Sequence, residues 1–142
     1  MADNNVSLTF NLVKIRTDQF ALFEENHLDK RNVNLSTNMS FGLNVEEEAF
    51  SVSLKFTFEM KKKPFMTTQV TCFFNIEKTT WESLKSNDKI ILPKGFVAHM
   101  AMLTVGTARG ILHSKTEGTM FNKYILPTLN VAEMVPEDVV FD

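Results

Sequence analysis

The sequence has 142 residues, of which 44% are hydrophobic and 23% charged, and its formal net charge is −2. This length and balance predict one compact domain, residues 1–142, and exclude an intrinsically disordered chain. No apolar run approaches the roughly 20 residues that a membrane span needs, and the slight negative charge argues against nucleic-acid binding.

The cysteine content and the first residues indicate a cytoplasmic protein. Cys72 has no second cysteine with which to form a disulfide, which fits a reducing compartment. Residues 1–7 lack the basic start and the apolar stretch of a secretory signal. The chain also has thirteen Phe and eight Met. Such residues usually fill a core, but this number is large enough for some to line an open groove.

Hydrophobic alternation predicts an antiparallel sheet. Apolar and polar residues alternate through Val33–Val45, Phe50–Met60 and Met66–Ile76. A period of two is typical of strands with one buried and one solvated face. The connections Glu46–Ala49 and Lys61–Pro64 are short, so the three strands form a meander.

An earlier strand is expected to begin at Leu8–Leu12. Its inward positions then shift by one residue to Val13 and Ile15, which suggests a β-bulge. The connection that follows, Gln19–Asn32, is too long for a tight hairpin and must cross over other elements.

Beyond the strands the pattern becomes helical. A long helix is predicted from Pro93 to Lys115, with a stop near Gly118. Gly106 and Gly110 lie inside it, where each glycine costs about 0.5–1 kcal/mol relative to alanine. Close backbone approach explains them, either to the sheet or to the same helix of another subunit.

A short final helix completes the predicted fold. Asn130, with Glu133 three residues later, is a capping signal, and Pro136 either kinks the helix or starts its next turn. The fold class is therefore α+β. It comprises a four-stranded antiparallel meander sheet with a long crossover between its first two strands, one long helix packed on or beside the sheet, and a short carboxy-terminal helix.

The sequence offers no catalytic residues, no metal ligands and no cofactor motif. His99 and His113 are fourteen positions apart on one helix, about 21 Å at 1.5 Å per residue, and cannot share a metal. His27 lies among carboxylates in the crossover and is expected at the surface. Cys72 alternates inward with its neighbours, so we expect a buried, inert thiol.

The order of these elements, together with several local sequences, resembles the SecB-type export chaperones. The resemblance spans about residues 7 to 134. It is carried by the first strand, Leu8–Ile15 followed by Thr17, by Ala108-Arg109, by the helix stop at Gly118-Thr119, and by Leu126-Pro127-Thr128-Leu129-Asn130-Val131.

The resemblance implies a holdase, which is not an enzyme and needs neither ATP nor a cofactor. Its partners would be non-native polypeptides and further copies of itself, in a homotetramer built as a dimer of dimers. The spacing of Gly106 and Gly110 suggests these two residues for the interface between copies. The client groove would lie between the crossover and the carboxy-terminal helix, beside the second strand. The client-binding residues would be Phe20, Leu22, Phe23, Met39, Phe41, Phe121, Tyr124, Leu129 and Met134.

Two departures from the family pattern bear on the client. SecB proteins dock the motor protein SecA on an acidic surface of the sheet, but Gln19 and Gln69 stand at the best-matching positions, with Asp18 and Glu24 nearby. Residues 131–142 are also shorter than the family's final helix and acidic extension. The sequence therefore leaves two roles open, protein export with SecA docking and the holding of a specialised client such as an antitoxin.

A function of another class stays open beside these. A small α+β domain can enclose a ligand pocket, as a binding protein or an enzyme does, and would need inward-facing polar residues that converge on a cavity. Only Thr37 and Thr68 interrupt the apolar faces of the predicted strands.

Overall fold

A computed structural model describes residues 8–29 and 31–142. Its main sheet has four antiparallel strands, which are β1 (Phe10–Leu22), β2 (Asn34–Asn44), β3 (Ala49–Met60) and β4 (Lys63–Ile76). They lie in the order β1-β4-β3-β2, so the crossover after β1, which contains a 3-10 turn at Glu24–Asn26, carries the chain from one edge of the sheet to the other. The predicted α+β fold is confirmed.

Three helices and a small second sheet follow. The elements are α1 (Lys78–Ser83), β5 (Lys85–Ser86), β6 (Lys89–Leu92), α2 (Lys94–Thr116), α3 (Val131–Met134) and β7 (Val139–Phe141), and the second sheet has the order β5-β6-β7. The short elements α1, β5, β6 and β7 were not predicted, because segments this short show no hydrophobic period. Helix α1 nevertheless contributes the buried Trp81, and its first turn is capped by the Glu77 carboxylate, which accepts from the Thr80 N–H.

The core lies between α2 and the two central strands. Every second residue of β3 from Phe50 to Met60 is buried, and α2 packs on β4 and β3. The helix follows Pro93 and ends before Gly118, whose φ is +79°, so its predicted limits are confirmed. By length and composition this helix could cross a membrane, contrary to the sequence-based expectation, although the core helices of soluble proteins meet the same criterion.

Strand β1 differs from its prediction in two respects. The bulge is present, between Leu12 and Lys14, and a second follows between Thr17 and Gln19. The expected inward burial holds for Phe10, which packs edge-on against Phe96 of α2. It is wrong for Leu12, Val13 and Ile15, which are exposed because α2 lies mainly over β4 and β3. The strand also continues to Leu22, so the crossover begins later than the predicted Gln19.

The turn between β3 and β4 is tighter than predicted. Lys61 and Lys62 alone form it, with φ values of 51° and 65°. Pro64, which was assigned to the turn, lies in β4 opposite Glu59. It sits next to a register irregularity, where a residue without an N–H is tolerated in a sheet.

The segment after α2 runs the length of β3. It begins with a 3-10 turn at Met120–Lys123. Tyr124 contacts Phe58 near one end of β3, and Phe141 contacts Phe50 near the other. Between them the predicted cap of α3 is confirmed, since Asn130 Oδ1 accepts from the N–H three residues on. Helix α3 ends before Pro136, which therefore neither kinks nor extends it.

Candidate functional site

The crossover and the segment after α2 meet in an aromatic cluster, which consists of His27, Phe58, Phe65, Phe121 and Tyr124. His27 Nε2 and Tyr124 Oη share a hydrogen bond of 2.7 Å. The His27 ring packs edge-on against Phe65, at 5.0 Å between centroids, and against Phe121, at 5.3 Å. The expectation that His27 is an ordinary surface residue is therefore wrong. The two elements that were predicted to flank a groove are joined by this cluster.

An open groove of about 360 Å³ lies beside the cluster, between α2 and the chain that follows it. Two features form it. Arg109 Nε donates to the Leu126 carbonyl oxygen (2.6 Å) and its Nη2 to that of Pro127 (2.9 Å), which fixes the segment to the helix. The glycines leave the helix surface bare, since a Cβ built on either meets nothing within 4 Å. We call this feature the α2 groove; its lining residues are Gly106, Arg109, Gly110, His113, Tyr124 and Ile125.

Exposed apolar side chains accompany the groove. Ile125, which lines it, is 59% exposed, and Met102 and Leu103 are exposed on α2. Leu12 and Ile15 of β1 face the same side of the sheet as α2, since their β4 partners belong to the buried core. Sequence reasoning missed this surface because periodicity shows which side chains share a face, but not how far the helix covers it.

The predicted client-binding residues lie in several places rather than one. Phe20 and Leu22 are half-buried on β1, and Phe23 starts the crossover, where its N–H donates to the Phe65 carbonyl oxygen at 2.8 Å. Met39 and Phe41 are half-buried on β2, at the opposite edge of the sheet.

The remaining predicted residues lie in the segment after α2. Tyr124 belongs to both the aromatic cluster and the α2 groove, and Leu129 and Met134 are half-buried along the segment. Phe121 is only 1% exposed, so its side chain is closed to a client in this conformation. Tyr124 is the predicted residue that lines the α2 groove.

The glycine pair faces away from the sheet. Of the two explanations for Gly106 and Gly110, approach to the chain's own sheet is wrong, because both are exposed with open space beyond the α-carbon. Their placement at an interface with another copy stays a prediction.

The described residues hold little that suggests catalysis. Within 8–29 and 31–142, no three His, Cys, Asp or Glu side chains are grouped to hold a metal ion. Cys72 is buried, as predicted, and burial raises the pKa of its thiol, against which hydrogen bonds with Thr104 and Thr107 act in part. Thr37 is exposed and Thr68 is buried in the core. These two residues therefore do not converge on a ligand pocket.

The positions expected to bear on SecA docking lie on the outer face of the sheet, which is the face opposite α2. Gln19 and Gln69 are cross-strand partners there, and Gln69 Nε2 donates to Ser53 Oγ at 3.0 Å. Asp18 accepts hydrogen bonds from Arg16 and from a threonine of β4. The glutamines are neutral, and the β3 partner of Gln69 is the exposed Lys55, so this part of the face is not an acidic surface.

Comparison with known proteins identifies the fold. No family model and no curated protein matches the chain. Among solved structures, it is similar to the Mycobacterium tuberculosis Rv1957 SecB-like chaperone in complex with a ChAD peptide from the Rv1956 HigA1 antitoxin. The TM-score is 0.52 and the identity 10%, over 84% of this chain and 90% of that one.

A second solved structure is a protein of unknown function from Streptococcus agalactiae, with a TM-score of 0.39 and 14% identity over 87% of this chain and 98% of that one. The similarity to the first of these structures shows that the chain has the SecB-like fold that its sequence motifs suggested.

Proposed function

We propose that this protein is a holdase that binds non-native polypeptides in the cytoplasm without ATP or any other cofactor. The observation that carries the proposal is the α2 groove, an open channel with a bare glycine floor and an exposed apolar wall at Ile125. Exposed apolar surface beside a concavity is typical of protein-binding sites. Holding a polypeptide requires no catalytic step, and the protein shares its fold with a chaperone.

Energetics favour an assembly with several such grooves. A client segment that buries about 600 Å² of apolar surface gains on the order of 15 kcal/mol. Association and ordering cost roughly 4–15 kcal/mol, so one groove binds weakly. Several grooves that engage one long client raise its retention through effective concentration.

We propose a homotetramer, a dimer of dimers, as that assembly. Met102 and Leu103 expose apolar side chains on α2 outside the α2 groove, and Gly106 and Gly110 border them on the same helix. Another copy would pack on this border and leave the side of the groove lined by Tyr124 and Ile125 open to a client. Small residues allow the backbones of two helices to approach closely. In solution the proposal predicts a mass four times the 16.2 kDa of one chain.

Two client classes follow from the fold and the surface. Export is one, and it would bring SecA to the outer face. The second is a dedicated client such as an antitoxin, which is favoured by the neutral pair Gln19 and Gln69 and by the antitoxin peptide held by the solved structure of the same fold. Binding of purified SecA to the protein, measured by calorimetry, separates the two, because only the export role requires it.

The holdase activity is tested with a permanently unfolded protein. Reduced, carboxymethylated α-lactalbumin should bind in the absence of nucleotide, as measured by fluorescence anisotropy. Ile125→Ser should weaken this binding about five- to tenfold. Full burial of one large aliphatic side chain contributes about 1.5–3 kcal/mol, and a client can newly bury only the 59% of Ile125 that is exposed.

The control removes an equally exposed side chain elsewhere. Val45 is 58% exposed in the β2–β3 turn. That turn lies at the Phe50 end of β3, whereas Tyr124 contacts Phe58, eight residues away, or about 27 Å along a strand. Val45→Ser should leave binding unchanged. Equal loss in both variants, or no binding by the unmodified chain, would contradict the proposal.

A further inference from the structure

The outer face of the sheet carries one aromatic side chain with two cations above it. Most of this face consists of small polar residues that bond to one another, as Thr71 Oγ1 does to Ser53 Oγ at 3.0 Å. Phe73 interrupts them. Lys14 Nζ lies 5.5 Å and Arg16 Cζ 5.0 Å from the centroid of its ring.

This arrangement results from the first β-bulge. The extra residue between Leu12 and Lys14 shifts the alternation, so that Lys14 pairs with Phe73 on the outer face. Without the bulge Lys14 would point to the opposite side of the sheet, because successive side chains alternate. The bulge also leaves Val13 60% exposed.

A concavity of about 450 Å³ opens beside Phe73. Val13, Lys14 and Arg16 line it from β1, and Gly42 lines it from the far edge of the sheet. A Cβ on Gly42 would lie 2.7 Å from the hydroxyl oxygen of Ser51, so this position has no room for a side chain and the concavity is open on that side.

One cation of the concavity, Lys14, is available to meet an anionic group of a partner. Arg16 is paired with Asp18, which lies outside the lining. Lys14 forms no ion pair within the described part of the chain. Glu47, in the β2–β3 turn, is the carboxylate that also lines the concavity, so the lining holds two cations and one anion.

We propose that this concavity docks an acidic, apolar peptide segment of a partner protein. A carboxylate of the segment would pair with Lys14, beside the Arg16–Asp18 pair, and an apolar side chain would pack on Phe73 and Val13. A cation that can make a charge-assisted contact to a carboxylate, next to exposed apolar surface, is what binds such a segment. A nucleic-acid backbone fits less well, because two cations beside Glu47 neutralise few phosphates. The site faces away from the α2 groove and is independent of the proposed holdase activity.

The test uses the full chain and a short fluorescein-labelled peptide that alternates Glu with Leu, together with a matched peptide in which Gln replaces Glu. Fluorescence anisotropy should show binding of the acidic peptide that weakens with added salt, and at least tenfold weaker binding of the Gln peptide. Lys14→Gln should weaken the acidic peptide about tenfold, the loss of one charge-assisted contact. Phe73→Leu, which keeps apolar volume, should weaken it less.

Lys55→Gln is the control, because Lys55 is exposed on the same face but does not line the concavity. It should bind the acidic peptide as the unmodified chain does. Capture of α-lactalbumin should be unaffected by Lys14→Gln, which separates this site from the α2 groove. The proposal is overturned if both peptides bind equally, if Lys55→Gln weakens binding as much as Lys14→Gln, or if a single-stranded oligonucleotide binds more tightly than the acidic peptide.

Discussion

Thr68 is a polar side chain enclosed in the apolar core. Its hydroxyl is buried and, among the described residues, is the one buried side-chain polar atom without a hydrogen-bond partner. Its cross-strand neighbours are Phe56 and Phe20. An unmade hydrogen bond inside a core costs about 1–3 kcal/mol.

Thr68→Val should therefore stabilise the protein. Valine has nearly the shape of threonine and removes the unpaired hydroxyl, so the free energy of unfolding should rise by about 1 kcal/mol. Urea denaturation measures it. Thr71→Val is the matched control on the same strand, because the Thr71 hydroxyl bonds to Asp18 and Ser53. That variant should lose stability, and a gain from it, or a loss from Thr68→Val, would contradict this account.

The bond between His27 and Tyr124 joins the crossover to the segment after α2. Tyr124→Phe removes the hydroxyl and keeps the ring, whose centroid lies 5.0 Å from that of the Phe65 ring. We expect the free energy of unfolding, measured by urea denaturation, to fall by about 1 kcal/mol. Native-state hydrogen exchange should show faster exchange at the Phe23 amide, which bonds to the Phe65 carbonyl. Unchanged exchange would show that the bond does not hold the crossover.

At the level of elements, strands β2 and β3 and helix α2 were predictable because each presents a long, regular pattern. The alternation of Phe50–Met60 fixed a strand whose inner side chains are all buried. The unpredicted α1, β5, β6 and β7 have two to six residues each, too few for a period. The exposure of Ile15 was beyond reach for a different reason, since it depends on where a distant helix lies across the sheet.

Helix α2 offers a test of self-assembly through its glycines. In an isolated subunit, Gly106→Ala and Gly110→Ala together should raise helix stability, by about 0.5–1 kcal/mol each, because an added Cβ meets open space. If another copy packs against this surface, the same methyl groups hinder its approach. We expect the double variant to dissociate at concentrations where the unmodified chain is assembled, as measured by native mass spectrometry.

Gly95→Ala provides the matched control, since its Cβ also meets nothing within 4 Å, in the first turn of the same helix. It should leave the mass of the assembly unchanged. An unaltered mass in the Gly106 and Gly110 variant would place the interface elsewhere.

At the level of the whole molecule, the sequence indicated the kind of site better than its position. The abundance of Phe and Met suggested open apolar surface, and Tyr124 does line the α2 groove. Phe121, of similar sequence character and three residues earlier, is in the core. The difference arises from the 3-10 turn at Met120–Lys123, which directs one ring inward and leaves the other at the edge. A change of side-chain direction within one short turn cannot be predicted from hydrophobic periodicity.

If several weak grooves act together, affinity should depend on both assembly and client length. A variant with Met102→Ser and Leu103→Ser removes exposed apolar side chains of the proposed interface and none that line the α2 groove. It should bind a short peptide that fits one groove as tightly as the unmodified chain does. Full-length unfolded α-lactalbumin should bind the dissociated variant at least a hundredfold more weakly, since its second and later contacts lose their effective concentration. Anisotropy titrations with both ligands provide the comparison. Equally tight capture of the long client by the dissociated variant would show that a single subunit is sufficient, and that assembly serves another purpose.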